Sequence, residues 1–176
     1  MKKFELTSEF VTFLGKKFFR IKALVAFGDV KEGELGGFVE KEENLDQSGD
    51  AWVFGNAQVF GDAWVSGDAQ VFGNAQVFGN AQVFGNARVF GDARVSGDAH
   101  IQCCRDCSAA SCFGSENRTT TFFREKDGGI GVRCGCFYGT MSEFREKVKE
   151  RHGDSRLAKE YLMLADLMEF RLSKDE

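Results

Sequence analysis

Basic and hydroxyl side chains alternate with glycines between positions 118 and 133, and no other stretch of the chain is as well suited to binding a charged ligand. Guanidinium forks, hydroxyl donors and unhindered glycine amides are the groups that bind a phosphate. The acidic side chains of Glu116, Glu125 and Asp127 dilute the local charge, so a solvated hairpin with ordinary cross-strand pairs is an equally good interpretation. The predicted ligand-binding residues are Arg118, Thr119, Thr120, Thr121, Arg124, Lys126 and Arg133.

A small nucleotide suits this pattern better than a nucleic-acid polymer. The chain of 176 residues carries a formal net charge of −4, which predicts no general attraction to nucleic acid or to anionic membranes. The N-terminal segment lacks an apolar stretch long enough for a signal peptide or a membrane span. We therefore expect a cytoplasmic protein, located in the host cytoplasm if it is viral.

Six cysteines and two histidines are the remaining residues with reactive side chains. Cys104 and Cys107 could combine with Cys134 and Cys136 into a zinc site, but the two last cysteines would share one face of a strand, where thiols pack as hydrophobes. We predict buried free thiols, no metal and no cofactor. The sequence around His100 and His152 contains no recognisable motif that pairs the histidine with a catalytic carboxylate or nucleophile, so no catalytic residue is predicted.

The elements that must position these residues begin with nine consecutive hexapeptides over residues 49–102. Each unit has Ala and Val at fixed places, except that Ile101 replaces the last Val, and each carries a Gly-Asn or Gly-Asp pair. Small and β-branched side chains suit the inside of a tight coil, and the Gly pairs suit its corners. The tract is similar to the left-handed parallel β-helix family of hexapeptide-repeat proteins, in which three units make one coil.

Stacking of coils places residues eighteen apart above each other and predicts outward aromatic ladders. Trp52, Gln70 and Arg88 form one expected ladder, and His100 lies above Gln82 and Trp64. Stacked rings could simply cover one another, but this much apolar surface favours a homo-oligomer, and the family resemblance implies a trimer. The predicted interface residues are Phe54, Phe60, Phe72, Phe78, Phe84, Phe90, Leu162, Met163 and Phe170.

Flanking segments complete the expected fold, which is mainly β: a left-handed parallel β-helix of about three regular coils, an N-terminal β cap, and a C-terminal hairpin with two helices. The hairpin strands are 119–124 and 131–137. Thr140 and Glu143 form a capping box for the first helix, which Gly153 ends, and Asp154 begins the second. The predicted domains are 1–48, 49–112 and 113–176.

The whole pattern resembles hexapeptide-repeat proteins of bacteriophages and prophages, which are labelled as transferases without demonstrated activity. The match is carried by RIKAL (20–24), FGDV (27–30), GGFVE (36–40) and NL (44–45), and then by TTFFR (120–124), KDGG (126–129), CGCF-GT (134–140) and HGD (152–154).

The phage resemblance implies a viral origin and a β-helix fold. It favours a non-catalytic oligomeric binding protein that inhibits a bacterial antiviral defence by binding a host defence protein or a nucleotide signal. A hexapeptide-type acyltransferase using acyl-coenzyme A and a virion structural protein are the alternatives.

Overall fold

The computed structural model describes residues 2–13 and 15–173. Outside these ranges lie Leu14 and the outer ends of the predicted first and third domains, at Met1 and 174–176. A β-solenoid of about four turns fills the middle of the chain, and an antiparallel sheet with two helices follows it. The strands are β1 Phe4–Phe13, β2 Lys16–Ala23, β3 Leu35–Val39, β4 Trp52–Val53, β5 Gln58–Val59, β6 Trp64–Val65, β7 Gln70–Val71, β8 Gln76–Val77, β9 Gln82–Val83, β10 Arg88–Val89, β11 Arg94–Val95, β12 His100–Ile101, β13 Cys107–Phe113, β14 Arg118–Arg124, β15 Ile130–Cys134 and β16 Phe137–Thr140. The helices are α1 Met141–His152 and α2 Arg156–Leu172, and a short 3-10 helix spans Glu42–Asn44.

Parallel pairing between successive turns builds the solenoid. One face consists of β3, β5, β8 and β11, a second of β6, β9 and β12, and a third of β4, β7 and β10. Leu45 extends the second face through a parallel bridge to Val65. The solenoid therefore begins before the perfect repeats, because β3 already pairs in parallel with β5.

The alanines and valines of the repeats line the interior, as the sequence predicts. Every such Ala and Val from Ala51 to Ile101 is 2% exposed or less. Gly67 illustrates why each corner needs glycine: its φ is +65°, and a Cβ there would lie 3.0 Å from the Gly85 amide nitrogen of the next turn. Small interior residues and crowded corners together hold the turns in register.

The predicted ladders form along the outside of the solenoid. Phe60 and Phe78 stack at 4.9 Å with parallel rings, and Phe72 stacks on Phe90 at 5.7 Å. His100 pairs with Gln82, and Gln82 pairs with Trp64, as predicted. Most of these rings are half-buried by their neighbours, whereas Phe90 is 59% exposed.

Trp52 corrects one expectation about the ladders. It pairs with Gln70 as predicted, but it is fully buried instead of facing solvent. The rings of Phe4 and Phe27 meet it edge-on at 6.1 and 5.3 Å, because the N-terminal segment folds over the first turn. The β1–β2 hairpin continues the same cap by pairing with β3.

The C-terminal sheet has the order β13-β14-β15-β16 and separates two cores. Phe123 belongs to the core of the solenoid, whereas Phe122 belongs to the core under the helices. Strand alternation explains the difference, since successive side chains point to opposite faces. The sheet is thus a two-sided layer between the solenoid and the helices.

The helices begin and end close to the predicted positions. Thr140 and Glu143 form the capping box of α1, and Gly153 ends it with a φ of +54°. The second helix begins one residue later than expected: its N-cap is Ser155 rather than Asp154, because the Ser155 hydroxyl accepts from the Ala158 amide. Neither described helix is long and apolar enough to cross a membrane.

Candidate functional site

The seven predicted ligand-binding residues do not converge on one cavity. In β14 and β15 the side chains alternate between the solenoid side and the helix side of the sheet. Thr121 therefore accepts a hydrogen bond from the Arg94 amide of the solenoid at 3.0 Å, while Thr120 donates to the Cys134 sulfur at 3.2 Å on the other side. Both threonines are fully buried.

Several of the other predicted residues already have partners in the fold. The Thr119 hydroxyl shares a 2.9 Å hydrogen bond with Ser111. Arg124 forms a half-buried ion pair with Asp106 at 2.9 Å, which anchors β14 to the loop that leaves the solenoid. Arg133 lies over the ring of Phe78 on the solenoid side. These three residues are close in the sequence, which suggested a shared site, but in the structure each contacts a different part of the protein.

Arg118 is the member of the set that lines a cavity of about 470 Å³. The C-terminal cavity, as we call it, lies where the ends of β14, β15 and β16 meet the two helices. Its size falls within the range of about 300 to 1,000 Å³ that is typical of small-molecule sites. Its lining residues are Ser115, Glu116, Arg118, Cys134, Gly135, Cys136, Phe137, Tyr138, Phe144, Lys147, Val148, Arg151, His152 and Tyr161.

Aromatic rings form one wall of the C-terminal cavity. The His152 ring stacks on Tyr161 with 5.7 Å between centroids and 26° between planes. Phe144 meets Tyr161 edge-on at 5.9 Å and contacts Phe137 at 5.6 Å. Phe144 and Tyr161 are buried and hold the half-buried rings of Phe137 and His152 in place, so these two rings present an apolar surface on which a planar group can stack.

Basic side chains surround the aromatic wall. Arg118, Lys147 and Arg151 carry three positive charges against the single carboxylate of Glu116, which lies 3.7 Å from the Arg118 guanidinium. Lys147 also pairs with Glu150 at 2.7 Å, an exposed contact. Within the described ranges Arg151 has no carboxylate partner. The cavity therefore favours an anion beside the aromatic surface.

Tyr161 closes the floor of the cavity. Burial, followed by the neighbouring Cys134 thiol, raises the pKa of Tyr161, so its hydroxyl stays protonated at neutral pH. Gly114 has a φ of +72°, and its missing side chain leaves the space that the Tyr161 hydroxyl occupies. The floor is therefore a neutral polar surface with a tightly fitted tyrosine.

The helix contributes cavity residues that the sequence analysis did not select. Phe144, Lys147 and Val148 share a face of α1 with Arg151, at spacings of three and four residues. Such spacing brings side chains together on a helix. The basic residues beside the apolar stripe of Met141, Phe144 and Val148 were the signal that could have identified this wall.

The cysteines differ from expectation in their placement. All six thiols are free, but they are less buried than expected. Cys104, Cys112 and Cys136 are exposed, and the other three cysteines are half-buried. Cys136 follows Gly135, whose φ is +58°, in the turn between β15 and β16, so it does not share a strand face with Cys134. Among residues 2–13 and 15–173, no three His, Cys, Asp or Glu side chains are grouped to hold a metal ion.

The two histidines lie at different cavities. His152 is in the wall of the C-terminal cavity, whereas His100 lines a smaller cleft of about 220 Å³ with Asp98, Gln82 and Lys126. The His100 ring packs on Phe84 at 4.6 Å, and its Nδ1 is buried without a hydrogen-bond partner in the described structure. Among the described residues, neither histidine is hydrogen-bonded to a carboxylate. A hydrogen bond of that kind is what orients a histidine that acts as a general base.

Comparison with known proteins bears on the solenoid. A family model described as YdcK Beta solenoid repeat matches residues 81–97 and 87–102. No curated protein matches the chain. The repeat match and the parallel ladders identify a β-solenoid repeat protein, and the matched residues lie outside the C-terminal cavity.

Proposed function

We propose that this protein is a non-catalytic binding protein that holds a small nucleotide in the C-terminal cavity. The observation that carries the proposal is the combination, in one cavity of about 470 Å³, of a fixed aromatic wall with the cations of Arg118, Lys147 and Arg151. A nucleotide has both chemistries that this lining complements, since its base is planar and apolar on both faces and its phosphate is anionic.

The geometry suggests how the two ends of the ligand divide the cavity. The base stacks against His152, whose ring is held on that of Tyr161 with 5.7 Å between centroids. The phosphate then faces Arg151 and Arg118, because guanidinium groups bind phosphate oxygens in pairs.

The resemblance to phage proteins supplies the biological setting of the proposal. A phage-encoded protein that binds a nucleotide tightly without turning it over would sequester the signal of a bacterial antiviral defence. Self-association, with a trimer as the expected state, would place several such cavities on one particle. Phe90, Met163 and Phe170, which are 59%, 71% and 81% exposed, offer apolar surface for such contacts.

Isothermal titration with purine and pyrimidine 5′-nucleotides, and with the corresponding nucleosides, tests the proposal. We expect saturable binding of a nucleotide, much weaker binding of its nucleoside, and a loss of about ten-fold to one hundred-fold in affinity for Arg151→Gln, since one charge-assisted hydrogen bond contributes about 1.5 to 3 kcal/mol. Arg156→Gln is the matched control, because Arg156 is exposed at the start of α2 and does not line the cavity.

Two results would contradict the proposal. The first is equal binding by wild type and Arg151→Gln. The second is an absence of binding by every nucleotide tested. A saturable thermal shift with acetyl-coenzyme A that disappears in His100→Ala would favour the acyltransferase alternative instead.

A further inference from the structure

A second basic site lies on the opposite side of the C-terminal sheet, where the sheet packs on the solenoid. Its central residues are Arg133 from β15 and Arg94 from β11. The Arg94 amide donates to Thr121, and Thr121 is the register partner of Arg133 on the neighbouring strand. One hydrogen bond and one pair of strands therefore hold both arginines at the same seam.

A break in the repeat pattern creates the place that Arg133 occupies. Phe18, Phe60 and Phe78 stack in sequence with 4.9 Å between successive centroids. The next position of this column is Ser96 instead of phenylalanine, so one face of Phe78 has no ring above it. The Arg133 guanidinium covers that face at 4.8 Å and donates to the Ser96 hydroxyl at 3.3 Å.

The guanidinium of Arg133 contacts a second aromatic ring. The ring of Tyr138, its register partner on β16, lies 5.9 Å from it. Tyr138 is itself fixed by donating to Glu125 at 2.8 Å. Two ring contacts and the Ser96 hydrogen bond fix the orientation of the planar group before any ligand arrives, which reduces the entropy lost on binding.

Among the described residues, neither arginine has a carboxylate partner. Within residues 2–13 and 15–173, the half-buried arginines Arg20, Arg124 and Arg145 each have an acidic partner. Arg94 and Arg133 are half-buried as well, yet their contacts in the same ranges include none, and the Nε atom of each is buried without a hydrogen-bond partner.

The two guanidinium charges also act on each other. Arg133 donates to Ser96, which lies two residues after Arg94 in the same repeat, so the two groups share one seam. Burial first and the Arg94 charge next lower the pKa of Arg133. The Glu125 carboxylate accepts a hydrogen bond from the Tyr138 hydroxyl. An anion between the two guanidinium groups would offset their repulsion and accept hydrogen bonds from their unpaired N–H donors.

We propose that Arg94 and Arg133 form a binding site for a phosphate group at the seam between the solenoid and the C-terminal sheet. The charge of the pair, +2, matches a phosphate dianion, and two guanidinium forks can each present parallel N–H donors to its oxygens. The lining of the C-terminal cavity includes neither arginine, although Tyr138 borders both sites.

Nuclear magnetic resonance of the arginine Nε–Hε groups tests the site directly. Inorganic phosphate is added to the full chain at constant ionic strength, with sodium chloride as the reference. We expect saturable shifts of the Arg94 and Arg133 signals, and at least about ten-fold weaker binding in Arg94→Gln, because one of two charged donors is removed. Arg88→Gln is the matched control, since Arg88 is an exposed repeat arginine on another face.

Thermal unfolding separates a ligand site from a purely structural pair. Phosphate should raise the melting temperature of wild type and of Arg88→Gln, and this rise should vanish in Arg94→Gln. Without phosphate, Arg94→Gln should melt no lower than wild type, because it removes a like-charge repulsion.

Methyl phosphate identifies the source of the group. A response equal to that of inorganic phosphate would indicate the terminal phosphate of a larger molecule, and a response to inorganic phosphate alone would indicate the free ion. Identical shifts in chloride and phosphate, or unchanged phosphate binding in Arg94→Gln, would overturn the proposal.

Discussion

Replacing Ala75 by Asp should disrupt the solenoid from its centre. Ala75 is fully buried, and the interior around it consists of the stacked alanines and valines of neighbouring turns. A carboxylate there would have no partner and no water. An unpaired buried charge costs about 3 to 5 kcal/mol. Since about 1 kcal/mol lowers the melting temperature of a chain of this size by about 2 to 4 °C, we expect a drop of roughly 6 to 20 °C.

Circular dichroism melts of Ala75→Asp and of Asn56→Asp measure the effect. Asn56 occupies an exposed corner where other repeats carry Asp, so its substitution adds the same charge without burying it. The control should melt within about 2 °C of wild type, as expected for a surface substitution. An equally small change in Ala75→Asp would refute the assignment of alanines to the solenoid interior.

Further predictions concern the corners, the thiols and the assembly. Gly67→Ala and Gly91→Ala should both lower the melting temperature, because their φ values are +65° and +67°; Gly67→Ala should lower it more, since only its Cβ meets the next turn. Iodoacetamide at pH 8 should label exposed Cys136 well before Cys107, because burial raises the pKa of the Cys107 thiol to about 12, as mass spectrometry of timed samples can show. Light scattering should give several times the 19.6 kDa chain mass, and Phe170→Glu should reduce it; a monomeric wild type would contradict the oligomer.

The repetitive part of the fold was predictable because each hexapeptide has the same residue types at the same positions. Alanine and valine recur on one side of every strand, and glycine recurs at every corner, so the interior from Ala51 to Ile101 followed directly from the sequence. The capping box at Thr140 is a similarly local signal. Burial of Trp52 was missed because Phe4 and Phe27, which cover it, are distant in sequence.

The candidate site was less predictable because it depends on which face of a strand each residue occupies. Neighbouring residues such as Thr120 and Thr121 looked like one cluster but point to opposite sides of the sheet. Arg118 reaches the C-terminal cavity, where it joins Arg151 and Tyr161 from the helices. The contact between these elements is a tertiary feature that no local sequence pattern specifies.

Photo-crosslinking tests the central claim, nucleotide binding in the C-terminal cavity, most directly. The protein is irradiated with an 8-azidoadenosine 5′-nucleotide, and the adducts are located by peptide mass spectrometry, with excess unmodified nucleotide as competitor. We predict competable adducts in the cavity wall, on peptides that contain Phe144 or Tyr161. Adducts confined to the solenoid repeats, or adducts that excess nucleotide does not suppress, would contradict it.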